Sequence, residues 1–103
     1  MNINDFRKFC VEEKIRWPTH GLKRIQSRDI LRDDVKNCIM HGEIIEEYPD
    51  DYPYPSALIF GKKLSGDIIH VVCGLDGEIL YFIKAYEPTT EKFMEDLRTR
   101  RKN

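Results

Sequence analysis

Long apolar runs are missing from this sequence of 103 residues, because its longest apolar stretches, such as residues 79–83, have only the length of a β-strand. A helix that crosses a bilayer needs about 20 apolar residues, so we expect neither a membrane-spanning segment nor a membrane partner. The N-terminus also lacks a basic region followed by an apolar stretch, which argues against a secretion signal. We therefore expect a cytoplasmic protein.

Cysteine is scarce and unpaired in this chain. Cys10, Cys38 and Cys73 lie far apart, and no Cys-x-x-Cys pair occurs. A zinc site built from thiolates is therefore not expected, and the three side chains are interpreted as small buried groups in a reducing compartment. Glycine-rich phosphate loops and dinucleotide-binding fingerprints are missing as well. We accordingly expect no metal and no cofactor.

Neither sign of charge is in excess, because 17 Lys and Arg residues oppose 18 Asp and Glu residues, for a formal net charge of -1. This balance excludes a uniformly basic coat for nucleic acid. The charges are nevertheless segregated: residues 14–28 carry cations and no acid, residues 43–51 carry acids and no cation, and residues 98–102 form a basic tail. The sequence thus predicts a basic helix flank and tail and an acidic strand and loop, and it leaves open whether the acidic stretch covers the basic flank or lies away from it.

Hydrophobic periodicity predicts one α+β domain over residues 1–103. Helices are predicted over residues 3–13, 19–27 and 32–40. Alternating patterns and turn signals predict four antiparallel strands, over residues 43–48, 57–62, 67–75 and 78–86. Thr89 or Thr90 is expected to cap a final helix that contains Phe93 and Leu97. The predicted architecture is N-terminal helices packed on a four-stranded, mainly antiparallel sheet with a C-terminal helix.

Residues 19–28 carry the most informative pattern for chemistry. At 100° per residue, His20, Arg24 and Arg28 fall within about 80° of each other on one flank of the helix. A histidine in the first turn followed by two guanidinium groups suits the binding of phosphate oxygens. The alternative is an ordinary solvated flank, in which the arginines pair with acids from residues 46–51.

The last strand ends in three protic side chains, Lys84, Tyr86 and Glu87, at an edge of the sheet. Simple strand termination is the alternative interpretation of this group. The predicted hairpins place His70 opposite Ile83, on the face of the sheet that Tyr86 does not share. A histidine within an apolar strand is interpreted as a hydrogen-bonded core residue.

The spacing His20-x-x-x-Arg24-x-x-x-Arg28 resembles a prokaryotic domain family of unknown function, number 4258. The resemblance covers about residues 15–95. It continues through Asp34-Val35, residues 42–46, Tyr48-Pro49-Asp50-Asp51, residues 53–58, His70-Val71-Val72 and Ala85-Tyr86-Glu87-Pro88. At the level of fold, the order of elements is similar to that of BrnT and RelE-type toxins, which are small ribonucleases of toxin–antitoxin systems.

The toxin resemblance implies an endoribonuclease that cleaves RNA without a metal, with an antitoxin protein as its partner. The implied catalytic residues are His20 as a proton-transfer group and Arg24 and Arg28 as phosphate ligands. If the end of the sheet faces the helix, Lys84, Tyr86 or Glu87 supplies the second proton-transfer group, although Lys84 stands where the family pattern has a small polar residue. The competing hypothesis is a non-catalytic module on the same fold that binds protein or nucleic acid. The oligomeric state is left open.

Overall fold

The computed structural model describes residues 1–102, which form three helices on one face of a five-stranded mixed sheet. The helices are α1 (Ile3–Val11), α2 (Thr19–Ser27) and α3 (Arg32–His41). The strands are β1 (Ile15–Arg16), β2 (Glu43–Tyr48), β3 (Ser56–Lys62), β4 (Ile68–Asp76) and β5 (Ile79–Tyr86). The predicted α+β class is confirmed, whereas the predicted number of strands is wrong.

Each helix buries one narrow stripe against the sheet. In α1 this stripe is Phe6 and Cys10, which are four residues apart and therefore lie on one helical face. In α2 the stripe is Gly21 and Ile25. A Cβ atom at Gly21 would lie 3.2 Å from the ring of Phe82, so the missing side chain lets α2 approach β5 closely. None of the helices among residues 1–102 is long and apolar enough to cross a bilayer.

The fifth strand, β1, was predicted only as an extended piece before Pro18. The sheet has the order β1-β5-β4-β3-β2, and β1 lies parallel to β5 at its edge. Ile15 pairs with Leu80, and the carbonyl of Lys14 accepts a hydrogen bond of 2.9 Å from the Leu80 amide. Two residues carry no alternation that could reveal a strand, so this pairing depends on the tertiary position of β5.

The register of the central hairpin differs from the predicted one. His70 pairs with Phe60 on one side and with Tyr86 on the other, not with Ile83. The turn places Asp76 opposite Ile79, so the pairs next to it already differ from the predicted ones by two positions. A β-bulge beside Val72, where Ile83 is an extra residue in β5, shifts the pairs beyond it by one more position. His70 and Tyr86 therefore share the face of the sheet that points away from the helices, which we call the outer face.

The predicted C-terminal helix is wrong, because residues 87–102 form turns and a single bridge between Phe93 and Arg100. The carboxylate of Asp96 accepts hydrogen bonds from the amides of Arg98 and Thr99, which competes with helical bonding. Leu97 has a φ of 59°, a left-handed conformation that interrupts a helix. We call residues 87–102 the C-terminal segment.

Both faces of the sheet are covered by apolar packing. The helix side holds the main core, which includes Phe6, Ile25 and Val71. On the outer face a smaller cluster joins Leu58, Val72 and Phe93, and the side chain of Phe93 is only 1% exposed. The C-terminal segment thus takes the covering role that was predicted for a helix.

We expect Phe93→Ala to lower the free energy of unfolding by about 3–5 kcal/mol, because it removes a buried ring and leaves a cavity on the outer face. Met94→Ala is the matched control, since Met94 is 44% exposed and its truncation is expected to cost less than about 0.5 kcal/mol. Urea denaturation of both variants measures the difference. Equal effects would contradict the role of Phe93 as the anchor of the C-terminal segment.

Candidate functional site

The three residues of the predicted phosphate site lie along one exposed side of α2. His20, Arg24 and Arg28 are all solvent-exposed, and we call them the basic flank. Because residues four apart on a helix are separated by about 6 Å along its axis, the flank presents its groups at regular steps. The structure places His20 and Arg24 within α2 and Arg28 at its C-cap.

Arg28 fixes the end of the basic flank to the sheet. Its Nη1 atom donates a hydrogen bond of 2.9 Å to the carbonyl oxygen of Ala85 on β5. A guanidinium group has five N–H donors, so this bond leaves Arg28 with donors for an anion. The basic flank consequently runs beside β5, from Phe82 near Gly21 to Ala85 near Arg28.

The acidic segment 43–51 does not cover the basic flank. Within residues 1–102, its salt bridges join Glu47 to the N-terminal amino group at 2.5 Å, Glu46 to Arg100 at 3.0 Å, and Glu43 to Arg98. β2, which carries these acids, forms one edge of the sheet, whereas β5 lies near the other edge, next to β1. The acids therefore neutralise the two chain termini and leave Arg24 and Arg28 exposed.

Glu87 lies near the C-terminal end of α2. Its carboxylate is 3.9 Å from the ammonium group of Lys63, which also donates a hydrogen bond of 2.8 Å to the carbonyl oxygen of Asp29. His20, in contrast, lies in the first turn of α2, about 12 Å from Arg28 along the helix axis. His20 and Glu87 thus lie at opposite ends of the basic flank.

Tyr86 lies on the outer face, so the sheet separates its side chain from the basic flank. Its hydroxyl group is 3.3 Å from Nδ1 of His70, and Nε2 of His70 is 2.6 Å from the carbonyl oxygen of Leu97. Because a carbonyl oxygen only accepts, Nε2 carries the proton, and Nδ1 accepts from the Tyr86 hydroxyl. His70 therefore joins β5 to the C-terminal segment.

Burial sets the protonation of this pair. The side chain of His70 is 0% exposed, which confirms its interpretation as a core residue. Burial lowers the pKa of His70 from its ordinary value of 6.5, because desolvation disfavours the imidazolium ion. Burial also raises the pKa of Tyr86, so the phenol stays protonated and can donate. Sequence patterns located His70, but the bulge that brings Tyr86 to it has no readable signal.

A cleft of about 290 Å³ opens on the outer face beside Tyr86. It is lined by Tyr48, Asp51, Val72, Ile83, Lys84, Tyr86 and Arg100. The guanidinium group of Arg100 donates hydrogen bonds of 3.1 and 3.0 Å to Glu46, and this pairing lowers the pKa of Glu46. We call this space the outer cleft; the sequence did not predict it, since β2, β5 and the C-terminal segment each supply part of it.

The described residues contain no group of three or more His, Cys, Asp or Glu side chains that could hold a metal ion. Cys10, Cys38 and Cys73 are buried free thiols. Burial raises the pKa of Cys38 to about 12, so this side chain is a protonated apolar group at neutral pH.

Comparison with known proteins identifies a family. A family model described as "Domain of unknown function (DUF4258)" matches residues 17–87. The match lies within the predicted range of 15–95 and contains the basic flank, Tyr86 and Glu87. No curated protein and no solved structure matches the chain. The family resemblance is therefore confirmed, while the resemblance to BrnT and RelE-type toxins stays a prediction.

The lowered pKa of His70 predicts a pH-dependent stability. The unfolded chain binds a proton to this residue near pH 6.5, whereas the folded chain binds it only at lower pH, so protonation favours unfolding. We expect the free energy of unfolding to fall as the pH decreases from about 7.5 to about 5.5. Chemical denaturation across this range measures the slope.

Exposed histidines provide the control for this measurement. A double variant, His20→Gln with His41→Gln, is expected to keep the full slope, because both residues are exposed. Glu46 does not interfere, since its lowered pKa places its titration below its ordinary value of 4.5. A flat profile in the wild-type protein, or loss of the slope in the double variant, would contradict the assignment to His70.

Proposed function

We propose that this chain, which belongs to the DUF4258 family of unknown function, binds single-stranded RNA through phosphate groups held by the basic flank of α2. The observation that carries the proposal is that His20, Arg24 and Arg28 are exposed in one row, while the three glutamates of β2 that form salt bridges pair with the N-terminal amino group and the C-terminal segment. A row of exposed cations without a covering acid is a surface that attracts a polyanion.

The geometry of the flank fits one strand of phosphates. Arg24 and Arg28 follow each other by about 6 Å along the helix axis and can each hold two phosphate oxygens. His20 lies in the first turn, where free backbone N–H groups add to the attraction for an anion. The bond from Arg28 to Ala85 restrains its side chain, so less conformational entropy is lost when a phosphate binds.

We further propose that the fold is of the BrnT and RelE toxin type and that the protein acts in the cytoplasm. The order of N-terminal helices followed by an antiparallel β2–β5 sheet supports the proposed fold. Three buried free thiols support a reducing compartment. On this proposal an antitoxin protein is the expected macromolecular partner besides RNA.

We expect Arg24→Gln to weaken binding of a single-stranded RNA oligomer by about tenfold, because a charged hydrogen-bond donor is lost. The slope of log affinity against log salt concentration should also fall in magnitude by about 0.7, since one fewer phosphate is neutralised. Fluorescence anisotropy with labelled RNA at several salt concentrations measures both values.

Arg98→Gln is the matched control for this charge change, because the guanidinium group of Arg98 is already paired with Glu43. It is expected to leave the affinity and the salt slope unchanged. Equal losses in the two variants would show that overall charge, rather than the basic flank, governs binding. Absence of RNA binding by the wild-type protein at low salt would refute the proposal.

Cleavage of the bound RNA is a second candidate function, favoured by the position of His20 one helical turn before Arg24. In this mechanism His20 takes the proton of a ribose 2′-hydroxyl group, whose oxygen attacks phosphorus and displaces the 5′ oxygen. Arg24 stabilises the added charge on the phosphate. Neither Tyr86 nor Glu87 lies beside His20, so water is the donor to the leaving oxygen.

We expect wild-type protein, on this second candidate, to leave RNA fragments that end in a cyclic phosphate and to slow bacterial growth when induced. His20→Ala should remove both effects, because it removes the base, while RNA binding falls only modestly. His41→Ala, also exposed, should retain both effects. Intact RNA and normal growth with the wild-type protein would exclude cleavage and leave the binding function in place.

A further inference from the structure

We propose that the outer cleft is a nucleotide-binding pocket, which receives one base of an RNA strand that passes from the basic flank across β5. This inference deepens the proposed function and rests on it. In this inference Lys84, Tyr48 and Tyr86 contact one nucleotide, and the basic flank holds the neighbouring phosphates.

The first argument is the continuity of the two surfaces. β1 pairs with β5 only at Leu80 and Tyr81, so in the described residues no strand pairs with this edge of β5 beyond Tyr81. There α2 runs alongside, and Arg28 bonds to the carbonyl oxygen of Ala85. The residues on either side of Ala85, which are Lys84 and Tyr86, line the outer cleft. The exposed edge of β5 at Ala85 therefore lies between the basic flank and the outer cleft.

The second argument is the shape and composition of the outer cleft. Val72 and Ile83 supply apolar surface, and the rings of Tyr48 and Tyr86 supply aromatic surface. Base–aromatic stacking uses such rings, and it tolerates any base because every base has a π-face. Ile83 is 40% exposed, although it is a large apolar residue. A flat heterocycle on this surface would remove the exposed apolar area from water.

The third argument is the arrangement of charge around the cleft. Arg100 is paired with Glu46, and Asp51 accepts a hydrogen bond from the hydroxyl group of Ser56. Lys84 lies 5.7 Å from the centre of the Tyr86 ring and has no salt bridge in the part of the chain that the structure describes. The hydrogen bond from the neutral hydroxyl group of Ser56 does not neutralise Asp51, but no salt bridge in the described residues joins Asp51 to Lys84. Lys84 is therefore the cation beside the aromatic rings that remains for an anion. A planar base with an attached phosphate combines both requirements, which neither inorganic phosphate nor an apolar ligand does.

The extra residue in β5 is what creates the pocket. Without the bulge beside Val72, residues after Phe82 would alternate in the opposite sense, and Lys84 and Tyr86 would point toward the helices. The bulge brings both side chains to the outer face, next to Tyr48 on β2 and to the C-terminal segment. Bulges near functional sites commonly redirect side chains in this way.

The test is a titration of isotope-labelled protein with adenosine 3′-monophosphate, followed by NMR. We expect shifts of the backbone amides of Val72, Lys84 and Tyr86, together with amides of α2. Inorganic phosphate alone, as the comparison ligand, is expected to shift amides of α2 and to leave the outer cleft unchanged.

Variants separate the ring from the charge. Tyr86→Leu should weaken nucleotide binding by about tenfold, because it removes a stacking ring, whereas Tyr86→Phe keeps the ring and should bind like the wild type. Lys84→Gln should weaken binding several-fold, by an amount that shrinks as salt rises. Lys62→Gln is the matched control, since Lys62 lies exposed on the same face of the sheet but does not line the outer cleft.

The outcomes distinguish this inference from the proposed function. Shifts confined to α2, or equal binding by the Lys84→Gln and Lys62→Gln variants, would overturn the nucleotide pocket while RNA binding by the basic flank stands. If the Arg24→Gln variant no longer binds RNA but adenosine 3′-monophosphate still shifts its outer-cleft amides, the nucleotide pocket is supported as a site distinct from the basic flank. Cleft shifts that appear only with an added protein, and not with the nucleotide, would overturn the proposal in favour of a protein interface.

Discussion

The carboxylate of Glu46 accepts two hydrogen bonds from the guanidinium group of Arg100, and this pair joins the acidic strand β2 to the basic tail. Arg98 and Glu43 form a second contact between the same two segments. These pairs hold the C-terminal segment over the outer face, where the ring of Phe93 becomes buried. The acids of β2 thus pair with the tail at one edge of the sheet, while Arg24 and Arg28 stay exposed near β5 at the other side.

His70 connects this arrangement to the end of β5. Its two ring nitrogens bind different parts of the chain, the carbonyl of Leu97 and the hydroxyl of Tyr86. Burial lowers the pKa of His70 and so favours the neutral imidazole, which donates from one nitrogen and accepts at the other. The ring also packs edge-on to Phe93, with centroids 4.5 Å apart. His70, which the sequence predicted to be a core residue, thus holds the hydroxyl group of Tyr86, and Tyr86 lines the outer cleft. Both the stability of the outer face and the geometry of the outer cleft therefore depend on His70.

The parts of the fold that could be predicted are those that depend on local pattern. Each of the three helices buries a stripe at a spacing of three or four residues, and the four predicted strands are six residues or longer and are bounded by turn signals. The parts that failed depend on partners far along the chain. β1 is a strand only because β5 lies beside it, and Leu97 leaves the helical conformation where its carbonyl meets His70. The candidate site divides in the same way: helical spacing predicted the basic flank, whereas the predicted hairpin register placed Tyr86 on the wrong face.

By itself, the sequence determined the α+β class, the family and the alignment of His20, Arg24 and Arg28, because these follow from periodicity and motif spacing within short stretches. The tertiary structure decided which charges neutralise each other and which face each side chain of β5 occupies. One extra residue in a strand moves every later side chain of that strand to the opposite face of the sheet. Ion pairs, in turn, depend on the distance between charges in space, which the order of residues along the chain does not reveal. The counts of 17 cations and 18 acids do not depend on the fold, whereas the choice of ion pairs does. In this fold Glu43 and Glu46 pair with the tail, and the basic flank stays exposed.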